Sequence, residues 1–269
     1  MDRFDVCFDV SRELWMTTVS RESPDARRRK RGRLRAWAGG VWRAARRSGV
    51  ARPVDRYVLL VSVAGRRESP VLAAETVKPL IDAGTDRGVW PDDDPFHRIM
   101  TCYLTDPAPT TGGAARIRLT VVAYGGDPLG LLLDRAGACR AARVHATVGA
   151  DDWLTSNMVL DGRERERRQG RIVAEGRRAW RGRSVGAHAA VACMVRYPDG
   201  RDRYKGDPDN TAETATAVWG AGALDRLCPA SPSLFAFLLA DGRSRPGTHE
   251  LDMLVLALDR DPDWRRLLA

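Results

Sequence analysis

The chain has 269 residues, with 44 Lys or Arg against 35 Asp or Glu, a net charge of +9 and a pI near 9.9. That length accommodates two domains of ordinary size, and the charge points to a polyanionic partner, nucleic acid before membrane, because no long apolar span or leader stands in the sequence. Five scattered cysteines without a Cys-x-x-Cys pair and four separated histidines argue against disulfides and zinc, so a reducing cytoplasm is the expected compartment.

Alternating Phe4, Val6, Phe8 and Val10 predict a first strand. From Ala26 to Arg47 there are ten Arg or Lys and no acid, while Leu34, Trp37, Ala38, Val41, Trp42 and Ala45 recur at helical spacing. The pattern predicts an amphipathic helix with a cationic outer face, and such a face suits phosphates. Its candidate contacts are Arg27, Arg28, Arg29, Lys30, Arg31, Arg33 and Arg35. Only Lys30, Lys78 and Lys205 are lysines, so coding bias accounts for Arg over Lys but not for the clustering.

An apolar run from Tyr57 to Val63 reads as a buried strand, a helix is expected over about Ala73 to Asp86, and Asp92, Asp93 and Asp94 follow in an acidic loop between Pro91 and Pro95. Strands are expected at Ile99 to Leu104 and Ile117 to Ala123, then a linker over 125–140. The order then returns: a strand at Arg143 to Val148, a charged helix from about Arg163 to Arg183, a strand at Ala189 to Tyr197 and a helix over about Ala212 to Leu224. Apolar Leu234 to Leu239, a strand at Leu251 to Leu258 and a short docking helix at Trp264 to Ala269 complete it. The second charged helix includes Glu164, Glu166 and Glu175, so its candidate contacts, Arg165, Arg167, Arg168 and Arg171, are expected to bind nucleic acid more weakly.

The return is literal at an offset of 138 positions. Trp15 matches Trp153, Gly32-Arg33 matches Gly170-Arg171, Trp42-Arg43 matches Trp180-Arg181, Ala74-Glu75-Thr76 matches Ala212-Glu213-Thr214, and Ala83-Gly84 matches Ala221-Gly222. Tryptophans are rare, so two coincident pairs in one register point to a tandem duplication. The period is too long for a solenoid. The expectation is an α+β protein of two copies, 1–124 and 141–269, each a small mixed sheet with two helices, paired about a pseudo-two-fold axis.

The second copy contains Lys205-Gly206-Asp207-Pro208-Asp209-Asn210 just ahead of a helix. Two carboxylates two residues apart can converge on one hard cation such as Mg2+, and Asp-Pro-Asp-Asn is equally good turn and N-cap chemistry. These residues resemble the RusA-like Holliday-junction resolvases common in phages and prophages. That family has a strand, a basic segment, a strand, an Asp-x-Asp-Asn motif opening a helix that carries a Lys, then a Gly and an Asp-Asp loop. Asp207-Pro208-Asp209-Asn210 looks like the first motif, and Lys78, Gly88 and Asp92 to Asp94 look like the helix lysine and the second motif.

The copies depart from the pattern in complementary ways. Ser69, Val71 and Leu72 stand where the first copy would have the motif, while Thr216 and Ala230-Ser231 stand where the second would have Lys and Asp-Asp. The resemblance implies a homodimer-like pair fused in one chain and a Mg2+-dependent (or Mn2+-dependent) endonuclease acting on four-way DNA junctions in recombination and repair. In that reading Asp207, Asp209 and Asp93 hold the metal, Asn210 orients the ligands, Asp92 or Asp94 can supply the further carboxylate in place of Asp93, and Lys78 offsets developing charge. Lys205 is a candidate substitute for the missing lysine. The alternative is a branched-DNA-binding descendant that no longer cuts, and a duplex-DNA regulator stands behind both because no helix-turn-helix signature is evident.

Overall fold

Strand β1 (Arg3–Val10) alternates buried and exposed residues from Val6 to Val10, and the eight residues of β2 (Tyr57–Ala64) are all buried, as expected for an edge strand and an interior strand. The structure is a computed structural model that describes residues 2–268 except 21, 67, 111–113, 138–139, 156–157, 159 and 199–206. The chain divides into two units, Met1–Asp127 with Arg265–Ala269, and Pro128–Trp264. Each is α+β.

In the first unit, β1 pairs antiparallel with β4 (Ala115–Ala123), β4 pairs antiparallel with β2, and β2 runs parallel to β3 (Arg98–Thr105). Helix α1 (Pro24–Arg47) links β1 to β2, and α2 (Ala74–Asp86), entered through a 3-10 turn at Pro70–Ala73, makes the crossover from β2 to β3. A parallel pair needs such a crossover. Helix α1 starts where Ser23 Oγ accepts from the Ala26 N–H, with Pro24 in the first turn, and ends on Arg46 and Arg47, whose charges suit the C-terminal end of the helix dipole.

The second unit repeats the arrangement. β5 (Arg140–Gly149) pairs antiparallel with β8 (Thr248–Leu258), β8 with β6 (His188–Arg196), and β6 runs parallel to β7 (Leu234–Leu239). Helix α4 (Gly162–Trp180) links β5 to β6, and a 3-10 turn at Pro208–Thr211 leads into α5 (Ala212–Leu224). The expected linker is not bare chain: Pro128–Ala136 forms helix α3, with Leu131 and Leu132 buried. The tail helix, α6, covers Trp264–Leu268.

Equivalent positions make equivalent bonds. Thr76 Oγ1 accepts from the Met16 N–H at 2.8 Å and donates to the Met16 carbonyl at 2.7 Å. Thr214 Oγ1 does the same with Leu154, at 3.0 and 2.8 Å. Trp42 donates its indole N–H to the Leu80 carbonyl (2.8 Å), and Trp180 donates to that of Val218 (3.1 Å). The slot beside each indole is filled differently: Trp90, from the loop after α2, packs edge-on against Trp42, whereas Trp219, from within α5, packs edge-on against Trp180. Gly88 has φ +63°, and at the matching position Arg226 adopts φ +57°.

Candidate active site and nucleic-acid surface

The Asp-Pro-Asp-Asn segment lies beyond the C-terminal end of β6, where open sheets with parallel strands commonly bind ligands. Asp207 is the extended residue ahead of the 3-10 turn, and Pro208, with its fixed φ and missing N–H, begins it. Asn210 N–H donates to the Asp207 carbonyl at 3.0 Å. The turn holds Asp207, Asp209 and Asn210 buried, Asp209 at 5% exposure, and passes directly into α5. Burying carboxylates is costly unless charge or hydrogen bonds compensate.

An aromatic group adjoins the motif. The Tyr197 hydroxyl donates to the Asp207 carbonyl at 3.2 Å, the Tyr197 ring meets His249 edge-on, and His249 stacks on Trp153 with centroids 4.4 Å apart. His249 and Tyr197 were not singled out in the sequence, because β8 and the end of β6 meet only in the folded sheet. Glu213, in the first turn of α5, is buried against Arg165 of α4, so its charge is already matched.

The first unit keeps the turn and lacks the carboxylates. Ser69 precedes Pro70, and Val71, also buried, occupies the position of Asp209. The Lys78 ammonium contacts the Asp93 carboxylate and lies 3.2 Å from Asp82, while Arg98 is 3.9 Å from Asp93 and donates through Nε to its carbonyl. Burial acts to raise the Asp93 pKa, but the Arg98 and Lys78 charges overcome it and leave the carboxyl below its usual range. For Asp82 burial prevails over Lys78, and its carboxyl is raised. Asp92 is exposed and caps the Asp93 N–H, and Asp94 accepts from the Phe96 and His97 N–H groups, so both stabilise the turn.

These arrangements bear on the metal. Asp207 and Asp209 offer an all-oxygen donor set that fits Mg2+ or Mn2+. The Asp93 carboxylate is engaged by the Lys78 ammonium and lies 3.9 Å from Arg98. Among the described residues, no three His, Cys, Asp or Glu side chains form a group able to hold a metal ion. Lys205, the candidate replacement for a helix lysine, lies outside the described residues.

Most of the arginines read as phosphate contacts are engaged within the protein. Arg27 and Arg31 both meet buried Glu75, at 3.1 and 2.5 Å, bracing α1 to α2. Lys30 pairs with Glu22 at 2.6 Å, and Arg35 makes a bidentate pair with Asp86, both bonds 2.7 Å. On α4, Arg165 meets Glu213, Arg167 and Arg168 each lie 2.7 Å from Glu164, and Arg171 is 3.2 Å from Asp152. Hydrogen bonds from Arg167 and Arg168 hold the Glu164 carboxyl down at about 2. Arg28 lies 3.4 Å from Asp25, with both side chains largely exposed. Arg29 and Arg33 face outward, as do Arg43 and Arg47 further along α1. The helical spacing of all four was available in the sequence, but which cations would find acids depended on α2.

Comparison with protein-family models gives no match, and comparison with curated proteins gives none either. Among the described residues, no helix is long and apolar enough to cross a membrane.

Proposed function

We propose that the chain is a RusA-like, metal-dependent endonuclease of branched DNA, built from two divergent tandem copies, with its hydrolytic site on the second copy at Asp207 and Asp209. The observation that carries this reading is the pair of buried carboxylates on one turn beyond β6, at positions where the otherwise equivalent turn of the first unit has Ser69 and Val71. Two carboxylates two residues apart on one turn can converge on one hard cation, which supports the reading. Asp207 and Asp209 would hold Mg2+ or Mn2+, and Asn210 would fix their orientation. When bound, that ion would polarise a phosphoryl oxygen and lower the pKa of attacking water. The protein's own part is to present the two oxygens on a rigid turn, with Tyr197 anchoring the backbone at Asp207.

The test is nicking of a synthetic four-way junction by purified protein with Mg2+. Asp209→Asn is expected to abolish nicking and leave junction affinity within about threefold, since the amide keeps the size and removes the charge. Retained nicking in that variant overturns the assignment.

One observation favours a second reading, a junction-binding descendant that does not cut. In the first unit Lys78 and Asp93 neutralise each other, and among the described residues no third acid joins the motif pair as a metal-binding group. Tight junction binding without nicking in Mg2+ or Mn2+ by the unmodified protein selects it.

A further inference from the structure

The outer face of α1 combines exposed cations with an exposed indole. Arg29, Arg33, Gly40, Arg43 and Arg47 follow one another at intervals of four, seven, three and four residues, which keeps them on one stripe of the helix, and all are exposed. No ion pair joins the four arginines to a carboxylate among the described residues. With a rise of about 1.5 Å per residue, the two arginine pairs stand roughly 21 Å apart. Between them Gly40 has open space around its Cα, so the backbone is accessible there.

Trp37 borders this stripe, one turn from Arg33 and from Gly40. It was expected in the core with Leu34 and Trp42, yet it is 38% exposed, one edge resting on Phe8 with centroids 5.8 Å apart. The contact with Phe8 fixes the ring and leaves part of it uncovered.

The equivalent helix of the second unit serves as an internal comparison. There Arg167 and Arg171, the counterparts of Arg29 and Arg33, are matched by Glu164 and Asp152, and Glu175 stands at the position of Trp37 and pairs with Arg178. At these three positions the second unit pairs its arginines with acids, whereas the first combines uncompensated arginines with an aromatic ring.

We infer that the outer face of α1 binds a nucleic-acid strand with an unpaired base, the arginines taking phosphates and Trp37 stacking on the base. A base within a duplex shows no free face, and the middle of the stripe offers Gly and Ala where a helix reading a groove would need side chains that hydrogen-bond base edges. An aromatic ring among arginines is the combination that holds single strands without sequence preference. This inference rests on the nucleic-acid reading above but not on the Asp207 and Asp209 site.

The experiment measures binding of the full chain in EDTA, where metal-dependent nicking is absent, to a labelled single-stranded oligonucleotide, a blunt duplex of the same sequence, and phosphatidylserine vesicles. Trp37→Ala is expected to weaken single-strand binding about tenfold and change duplex binding less than twofold, with Trp37→Phe recovering most of the loss. Replacing Arg29, Arg33, Arg43 and Arg47 by Gln is expected to flatten the dependence of log K on log salt for the single strand by about 2.8. If Trp37→Ala disturbs folding, a 2-aminopurine base in the oligonucleotide reports stacking on the unmodified protein, and its fluorescence must change less with Trp37→Leu. Equal single-strand affinity in Trp37→Ala and the unmodified protein overturns the inference, as does a 2-aminopurine signal indifferent to position 37. Binding to vesicles with the same dependence on the four arginines and on Trp37 also overturns it, since the face would then recognise anionic surfaces at large. None of these outcomes bears on nicking, and loss of nicking in Asp209→Asn bears on none of them.

Discussion

Replacing Glu75 by Ala removes the acid that pins α1 to α2. Glu75 is fully buried, Arg27 beside it is nearly so, and Arg31 shares the same carboxylate. Without Glu75 the Arg27 guanidinium stays buried with no opposite charge, and breaking one side of a buried pair costs about 3–5 kcal/mol, far more than the pair contributes relative to an apolar replacement. Arg31 is about one-third exposed and can turn to water, so the loss should fall near the lower end, roughly 3 kcal/mol. Urea titration followed by far-UV circular dichroism and Trp fluorescence measures it. Glu75→Ala with Arg27→Met should recover more than half of the loss, because the second change removes the stranded charge. A loss under about 1 kcal/mol in Glu75→Ala, or no recovery in the double variant, would refute the reasoning. The same logic separates structure from binding: Arg27→Ala should lower stability without flattening the salt dependence of DNA binding, and Arg29→Ala should do the reverse.

Gly222→Ala should destabilise the second unit by about 1–3 kcal/mol in thermal unfolding, because an added Cβ would lie 2.4 Å from the Trp180 ring. Arg226→Gly should stabilise by roughly 1 kcal/mol, since the left-handed backbone there costs an L-residue about 1–2 kcal/mol and glycine almost nothing. The Asp93 carboxyl, held below its ordinary value, contributes stability that is present above the unfolded pKa and is lost as pH falls through the folded one. Asp93→Asn should therefore lower stability at pH 7 and reduce the drop as pH falls below the ordinary carboxylate range, read from denaturation midpoints against pH. Lys78→Ala should weaken stability while leaving any nicking by the Asp207 and Asp209 site within about threefold, because Lys78 is committed to Asp93 and Asp82.

The sequence by itself determined the order of strands and helices in both halves apart from α3, because period-two and helical apolar patterns survive any tertiary arrangement. The offset of 138 was legible for a similar reason: Trp42 and Trp180, Thr76 and Thr214, and Gly84 and Gly222 are matched pairs whose chemistry admits few replacements. The motif Asp207-Pro208-Asp209-Asn210 could be read as a turn ahead of a helix, but its burial could not, since that depends on β6, β7 and α5 closing around it. Helix α3 was missed because nine residues with a short apolar run look the same in a linker as in a helix.

Charge pairing was the part that only the tertiary structure decided. A run of ten cations on one helix carries no sign of which will meet acids distant in sequence, and Glu75, Asp82 and Asp86 on α2 select Arg27, Arg31 and Arg35 by packing geometry. Arg29 and Arg33 are left outward by the same geometry. Trp37 likewise satisfied the apolar periodicity, yet it meets Phe8 edge-to-face and keeps over a third of its surface exposed. Periodicity assigns a residue to a stripe of a helix, and the width of the neighbour packed against that stripe decides whether its margin is buried.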